Sequence, residues 1–175
     1  MVYWAPLLHF YQPPLQLPGV LRKVCNESYR PLIEVFRQYP NAKATINICG
    51  GLTEMLAEGG HADVVEGLKR LAANGQIEFT GSAKYHPILP LIPHEEVERQ
   101  IRRNVATNRR YFGDLYAPKG FFPPELAYGS NILEPVVQSG HQWVILSGVA
   151  CPAAWPMSEV YQAGSDDETL AVVFR

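Results

Sequence analysis

Five polar side chains able to hydrogen-bond or transfer a proton stand in or next to short apolar segments of this chain: His9, Gln12, Glu78, His86 and Glu125. The aromatic residues near them are Trp4, Tyr11, Tyr85, Phe121, Phe122 and Tyr128. Aromatic rings can stack on the apolar faces of sugar rings, while histidine, glutamine and glutamate side chains hydrogen-bond to hydroxyl groups. A glycosidase also needs a carboxylate as nucleophile or base. These residue types together predict a carbohydrate site.

Each of these residues also has a purely structural interpretation. His9 can be a hydrogen-bonded core histidine, and His86 before Pro87 can belong to a turn. Glu125 can be the acidic residue in the first turn of a short helix, where the helix dipole favours it. Glu78 stands within an apolar strand, where we expect it to be buried, and an unpaired buried carboxylate is costly. That cost favours a functional role for Glu78 and leaves both interpretations open for the other three.

Common cofactor and metal motifs are absent from the sequence. It contains neither G-x-G-x-x-G nor G-x-x-x-x-G-K-[ST], so nucleotide binding has no support, and it has no G-x-S-x-G nucleophile elbow. His86 and His94 are too far apart to bind one metal ion from a single helical turn. Cys25, Cys49 and Cys151 are widely spaced and predict reduced thiols. We therefore expect neither a cofactor nor a metal site.

Composition excludes further classes of partner. The 175 residues include 15 Lys+Arg and 17 Asp+Glu, giving a net charge of −2, which argues against a general nucleic-acid binder. Hydrophobic residues make up 47%, so we expect a folded chain. No apolar run approaches the ~18 residues of a membrane span, and the N-terminus does not resemble a signal peptide. We therefore expect a cytoplasmic protein that binds neither nucleic acid nor membrane.

Strands and helices alternate along the chain. The predicted strands are Val2–Leu8, Lys43–Ile48, Ile77–Thr80, Lys119–Phe122, Trp143–Leu146 and Leu170–Phe174. The helical segments between them are Pro31–Tyr39, about 61–74, about 94–112 and about 131–139. Such alternation predicts an α/β fold of parallel βαβ units, either an open sheet or a closed barrel. In both, functional residues collect at the carboxyl ends of the strands.

Three sequence blocks in order resemble glycoside hydrolase family 57, whose members act on α-glucans. The first is His9-Phe10-Tyr11-Gln12-Pro13, similar to the family's first conserved region. The second runs from Gly75 to Leu91 and contains a Gly-x-x-Glu core. The third is Gly120–Ala127, whose glutamate is the nucleophile in the family. The family often has tryptophan at the position of Phe122, which alters a stacking surface but leaves the carboxylate in place.

The resemblance implies roles for particular residues. Glu125 would be the nucleophile of a retaining hydrolase or transglycosylase. The residues implied to contact the sugar or shape the site are His9, Tyr11, Gln12, Glu78, His86 and Phe122. The fold implied is an irregular (β/α)7 barrel, incomplete at its C-terminus, with residues 1–175 as the N-terminal part of one catalytic domain. The acid/base would be an aspartate beyond the strand Leu170–Phe174, and Asp166 and Asp167 precede that strand, at the wrong end.

Two other functions remain open from the sequence. A metal-dependent polysaccharide deacetylase on a similar irregular barrel would need an acidic base and Asp/His ligands at strand ends, and the first strand ends in His9 with no acidic neighbour. A non-catalytic carbohydrate-binding fragment would use the same aromatic residues and Glu78. Because the acid/base is missing, we expect residues 1–175 alone to be inactive.

Overall fold

A computed structural model describes residues 4–165 and 168–175 of the chain. Its strands are β1 Leu7–Phe10, β2 Ala44–Ile48, β3 Ile77–Thr80, β4 Gly120–Phe121, β5 Trp143–Leu146, β6 Tyr161–Ser165 and β7 Glu168–Phe174. Its helices are α1 Pro18–Val24, α2 Arg30–Gln38, α3 Gly50–Glu58, α4 Ala62–Ala73, α5 His94–Phe112 and α6 Leu133–Gln138. The predicted alternation of strands and helices is confirmed.

Several boundaries and elements differ from the sequence prediction. The first strand is Leu7–Phe10, so His9 lies within it and not after it, while Val2 lies outside the described residues. The prediction omitted α1, α3 and the strand β6. Asp166 and Asp167 also lie outside the described residues.

Parallel pairing runs through the sheet from β1 to β7. The first three strands pair in the order β1-β2-β3, and the next four in the order β4-β5-β7-β6. A parallel bridge between Gly81 and Phe121 joins the two groups, with the Phe122 amide donating to the Gly81 carbonyl at 2.9 Å. β6 alone is antiparallel, paired to β7 at the edge. The parallel α/β prediction is therefore confirmed.

The two faces of the first three strands differ in burial. Ile46 and Phe79 are buried in one apolar cluster with helix residues such as Leu52 and Leu68, which defines the helix-covered face. Side chains alternate along a strand, so the neighbouring positions point to the opposite face. That face carries two registered rows, Leu7/Thr45/Glu78 and His9/Asn47/Thr80, the second nearer the carboxyl ends. The second row is where the predicted site begins.

A buried polar network fixes the carboxyl ends of β2 and β3 against α5. Asn104 is fully buried; its Oδ1 accepts from the Gly50 amide at 2.7 Å and its Nδ2 donates to the Tyr116 hydroxyl at 2.9 Å. Tyr116 in turn donates to the Thr80 carbonyl at 3.1 Å. Gly50 begins α3, so Asn104 satisfies one of the amides that a helix start leaves without a partner. The backbone on which the site stands is thus tied to the core.

Among residues 4–165 and 168–175, every helix is too short or too polar to cross a membrane.

Candidate active site

His86 and Glu125 meet at the ends of two neighbouring strands. The Gly81–Phe121 bridge places β3 beside β4, and the loops that follow bring His86 Nε2 to 3.1 Å from Glu125 Oε1. His86, Glu125 and Leu126 have φ values of 58°, 57° and 54°. Within the described part of the chain, no other residue except glycine has a positive φ. Such strain persists only where the surroundings impose it, and it concentrates at functional sites.

The two side chains differ sharply in exposure. The His86 side chain is 4% exposed, whereas that of Glu125 is 66% exposed. Burial lowers the pKa of His86, although hydrogen bonding to Glu125 opposes the shift. A neutral His86 can contact a carboxylate only by donating, so its proton lies on Nε2 and points at Glu125. The carboxylate therefore has a fixed donor on one oxygen and an open approach for a ligand.

Aromatic rings hold the two histidines of the site. Tyr11 stacks on His86 with ring centroids 4.1 Å apart, and Phe122 stacks on His9 at 4.8 Å. The two imidazole rings lie 5.3 Å apart. Burial, with a smaller effect of the Glu125 charge, raises the pKa of Tyr11, so its hydroxyl stays protonated at neutral pH. Four of the seven predicted site residues, His9, Tyr11, His86 and Phe122, thus form one cluster beside Glu125.

Phe122 is almost completely buried, at 4% exposure. Its ring lies nearly parallel to that of His9, with 12° between the planes. In this position Phe122 supports the His9 ring more than it offers a surface to a sugar. Its predicted contact with substrate stays a prediction.

Glu78 and Gln12 lie apart from this contact. Glu78 belongs to the row below His9, where its carboxylate accepts from Thr45 Oγ1 at 2.8 Å. Its expected burial is wrong: strand alternation places it on the face that the helices do not cover, and it is exposed. Gln12, in the loop after β1, accepts from the Gln16 side chain at 2.7 Å. Direct contact of either residue with a sugar stays a prediction.

Asn47 is a site residue that the sequence analysis did not select. It lies within β2, is fully buried, and places Oδ1 2.6 Å from His9 Nδ1. Its Nδ2 donates to Thr80 Oγ1 at 2.9 Å. The signal that could have identified it is a polar amide in the β-branched, apolar segment 43–48, since such groups are buried only when hydrogen-bonded.

The residues described here offer no cluster of three or more His, Cys, Asp or Glu side chains arranged to hold a metal ion. The deacetylase alternative needs such a set of donors at its strand ends. Within the described residues it therefore lacks its ligands.

Burial of His86 and His141 predicts a loss of stability in mild acid. His141 packs against Gly81 and Phe121, and its Nε2 has no hydrogen-bond partner within residues 4–165 and 168–175. Burial lowers the pKa of His141, as it does that of His86. Below the ordinary histidine pKa of about 6.5, these two residues bind protons in the unfolded chain but remain neutral in the folded state until the pH reaches their lowered pKa values. The free energy of unfolding is therefore expected to fall as pH drops from 6.5 through the lowered pKa values.

Urea unfolding at pH 7.5 and 5.5 measures this loss. His141→Gln removes one of the two groups and is expected to reduce the difference in unfolding free energy between the two pH values. The exposed His94, replaced by glutamine, is the matched control and is expected to leave the difference unchanged. An equal loss in wild type and His141→Gln would show that His141 does not contribute.

Comparison with known proteins gives one consistent family. The family model described as "Glycosyl hydrolase family 57" matches residues 8–175. Alpha-amylase 1 of Dictyoglomus thermophilum is 29% identical over 147 residues, which are 83% of this chain and 21% of that protein. The 4-alpha-glucanotransferase of Thermococcus litoralis is 27% identical over 141 residues, 79% of this chain and 20% of that protein. The chain thus spans about a fifth of the length of these curated relatives.

Solved structures show the same fold. The crystal structure of 4-alpha-glucanotransferase from Thermococcus litoralis superposes with a TM-score of 0.86 at 24% identity, over 97% of this chain and 27% of that one. The alpha-amylase AmyC of Thermotoga maritima superposes with a TM-score of 0.83 at 16% identity, over 98% of this chain and 45% of that one. A family 4 carbohydrate esterase from Streptomyces lividans has a lower TM-score of 0.59 at 15% identity, over 82% of this chain and 62% of that one.

Proposed function

This chain belongs to glycosyl hydrolase family 57, and on that premise we propose that it is the N-terminal part of a retaining glycosidase or transglycosylase acting on α-glucans, with Glu125 as the nucleophile. The observation that carries the proposal is the contact between Glu125 and His86. An exposed carboxylate with a buried neutral donor on one oxygen has its other oxygen free to attack. The family resemblance and the amylase and glucanotransferase relatives support the substrate class.

The proposed reaction begins with attack of the free Glu125 oxygen on the anomeric carbon. The bond to the leaving oxygen breaks, and that oxygen takes a proton from a second carboxylic acid. The resulting glycosyl ester is then cleaved by water, or by the hydroxyl of an acceptor sugar, after the second carboxylate removes its proton. Hydrolysis and transfer therefore use the same pair of groups and differ only in the acceptor.

We place the second carboxyl group, an aspartate, outside residues 1–175. In a retaining enzyme the two carboxyl groups lie roughly 5–5.5 Å apart. In the described residues Glu125 hydrogen-bonds to His86, and the family resemblance implies that the aspartate follows the strand that ends at Phe174. Residues 1–175 would then form the first part of an irregular (β/α)7 barrel, with later strands completing both the barrel and the catalytic pair.

His9, Tyr11, Gln12, Glu78 and Phe122 are proposed to bind or shape the sugar subsite. His9 is the strongest of these because it is exposed and stands beside the histidine that contacts Glu125. Tyr11 offers a half-buried ring on the same cluster. Glu78 stands one row lower, on the same face of the sheet as His9.

The stereochemistry of the first product tests this function. We expect the enzyme with the complete barrel to release α-configured product from an α-glucan, followed by proton NMR before mutarotation. Residues 1–175 alone are expected to give no measurable reducing ends, because the acid/base is absent. Release of the β-anomer would contradict the retaining mechanism, and hydrolysis by residues 1–175 alone would contradict the position of the acid/base. Glucan binding with neither hydrolysis nor glucan transfer by the complete barrel would instead identify a binding protein.

A further inference from the structure

His9 is held through a hydrogen-bonded row that starts in the protein core. Tyr116 donates to the Thr80 carbonyl, the Thr80 side chain accepts from Asn47, and the Asn47 amide faces His9. Asn47, Thr80 and Tyr116 are all fully buried. Only His9, at the end of the row, is exposed. The row therefore connects a rigid interior to one imidazole ring in the candidate site.

The orientation of the Asn47 amide determines which nitrogen of His9 carries the proton. Asn47 Nδ2 donates to Thr80 Oγ1, so the other end of the same amide, Oδ1, faces His9 Nδ1 at 2.6 Å. A carbonyl oxygen can only accept, so Nδ1 must be the donor. In the neutral ring Nε2 is then unprotonated and bears a lone pair. If the amide were turned over, Asn47 would donate to Nδ1 and the proton would lie on Nε2.

We propose that Asn47 is a positioning residue that holds neutral His9 in the Nδ1–H tautomer, so that Nε2 accepts a hydrogen bond from a sugar hydroxyl. The identity of the ligand rests on the proposed function, whereas the tautomer assignment does not. Phe122 stacks on the His9 ring and sets its plane, while Asn47 sets its protonation. Together they leave His9 with a single orientation and a single hydrogen-bonding character.

The arrangement gives the two histidines of the site opposite roles. His86 donates from Nε2 to Glu125, whereas His9 presents Nε2 as an acceptor. A sugar hydroxyl can donate its hydrogen to His9 Nε2 while the hydroxyl oxygen accepts a hydrogen bond from another donor. The ligand class that fits is one rich in hydroxyl donors, such as a polyol or sugar, because the lone pair on Nε2 can only accept.

Long-range ¹H–¹⁵N NMR of the 175-residue chain at pH 8.5 tests the tautomer directly. This pH is well above the ordinary imidazole pKa of about 6.5, so the neutral ring is observed. In the wild-type chain we expect a pyrrole-like ¹⁵N shift at His9 Nδ1 and a pyridine-like shift at Nε2. The reverse pattern would overturn the proposal.

Two substitutions separate positioning from packing. Thr80→Val removes the hydrogen-bond partner of Asn47 Nδ2 while keeping the shape, so the amide loses its fixed orientation and we expect the Nδ1–H fraction to fall. Thr80→Ser retains the hydroxyl and is expected to restore the wild-type pattern. Asn47→Leu removes the row outright and is expected to give mainly Nε2–H. If that variant does not fold, the Thr80 pair still decides the question, because an unchanged pattern in Thr80→Val would overturn the role of the row.

Titration of the enzyme with the complete barrel with maltotriose distinguishes this inference from the proposed function. We expect Thr80→Val to weaken maltotriose binding about fivefold relative to wild type and Thr80→Ser to leave it unchanged, as measured from His9 and Tyr11 chemical shifts. Equal binding by Thr80→Val with an altered tautomer would overturn the role of His9 Nε2 as the acceptor. An enzyme with the complete barrel that has the expected tautomer but shows no response to maltotriose would count against the sugar site and leave the tautomer assignment standing.

Discussion

Replacement of Glu125 by glutamine is expected to lower turnover of α-glucans by the enzyme with the complete barrel on the order of 10⁴-fold or more, as loss of a covalent nucleophile does in other enzymes. The amide keeps the shape and the contact with His86 Nε2, so the fold and the sugar subsite are retained. It cannot form the glycosyl ester, because its oxygen is a far weaker nucleophile than a carboxylate. Initial rates of reducing-end release measure the loss.

The control for Glu125→Gln is the same substitution at Glu134. Glu134 is exposed at the start of α6 and bonds to Gln138 in its own helix. Full activity of Glu134→Gln excludes a general effect of removing one negative charge. Turnover by Glu125→Gln within tenfold of wild type would contradict the nucleophile assignment.

A second variant tests the covalent role itself. Glu125→Gly leaves space beside His86, and azide can then attack the anomeric carbon in place of the carboxylate. The expected product is a β-configured glycosyl azide, formed as the leaving oxygen takes its proton from the acid/base. Recovery of activity without glycosyl azide would show that Glu125 acts in another way.

The sequence was sufficient to select Glu125 and His86 as candidates because the signals at both residues are local. Glu125 follows two prolines after a short apolar segment, and His86 follows the predicted strand Ile77–Thr80. Periodicity places both near the carboxyl ends of strands. Their contact depends on β3 and β4 being neighbours, which the Gly81–Phe121 bridge provides and no local pattern encodes. Both residues could be selected from the sequence, but their contact could not be predicted from it.

The error at Glu78 has a simple physical origin. Burial was expected because a central parallel strand is usually covered on both faces. The alternation of β3 assigns Phe79 to the helix-covered face and Glu78 to the other face, where its side chain is exposed. Sequence patterns determine which residues share a face, but the cover over each face depends on distant parts of the fold.

Asn47 and Asn104 escaped the sequence analysis for a different reason. Both are fully buried, and each hydrogen-bonds to a residue that is distant along the chain: Asn47 to His9, and Asn104 to Gly50. A single buried amide in an apolar strand or helix suggests a hydrogen-bond network without showing its members. Only the packing of α5 against α3 and of β1 against β2 reveals what each amide holds.

Removal of the His86 imidazole is expected to give the second largest effect. His86→Ala deletes the donor that fixes the orientation of the Glu125 carboxylate, so we expect kcat of the complete enzyme to fall about 100-fold with little change in KM. The loss falls on kcat because the buried side chain contacts the carboxylate and not the solvent-facing ligand space. His86→Gln can still donate and is expected to recover part of the rate. An activated aryl α-glucoside, whose leaving group needs little protonation, isolates the step that uses Glu125.

The pH profile separates this role from a structural one. Burial lowers the pKa of His86, so the residue is neutral at pH 7 and gains a proton only in acid. The resulting imidazolium would form an ion pair with Glu125 and make the carboxylate a poorer nucleophile, which predicts an acid limb in kcat/KM below pH 6.5. In His86→Gln this limb is expected to disappear, whereas His94→Gln, an exposed histidine on α5, keeps it. Persistence of the same limb in His86→Gln would assign the titration to another group and remove His86 from control of the nucleophile.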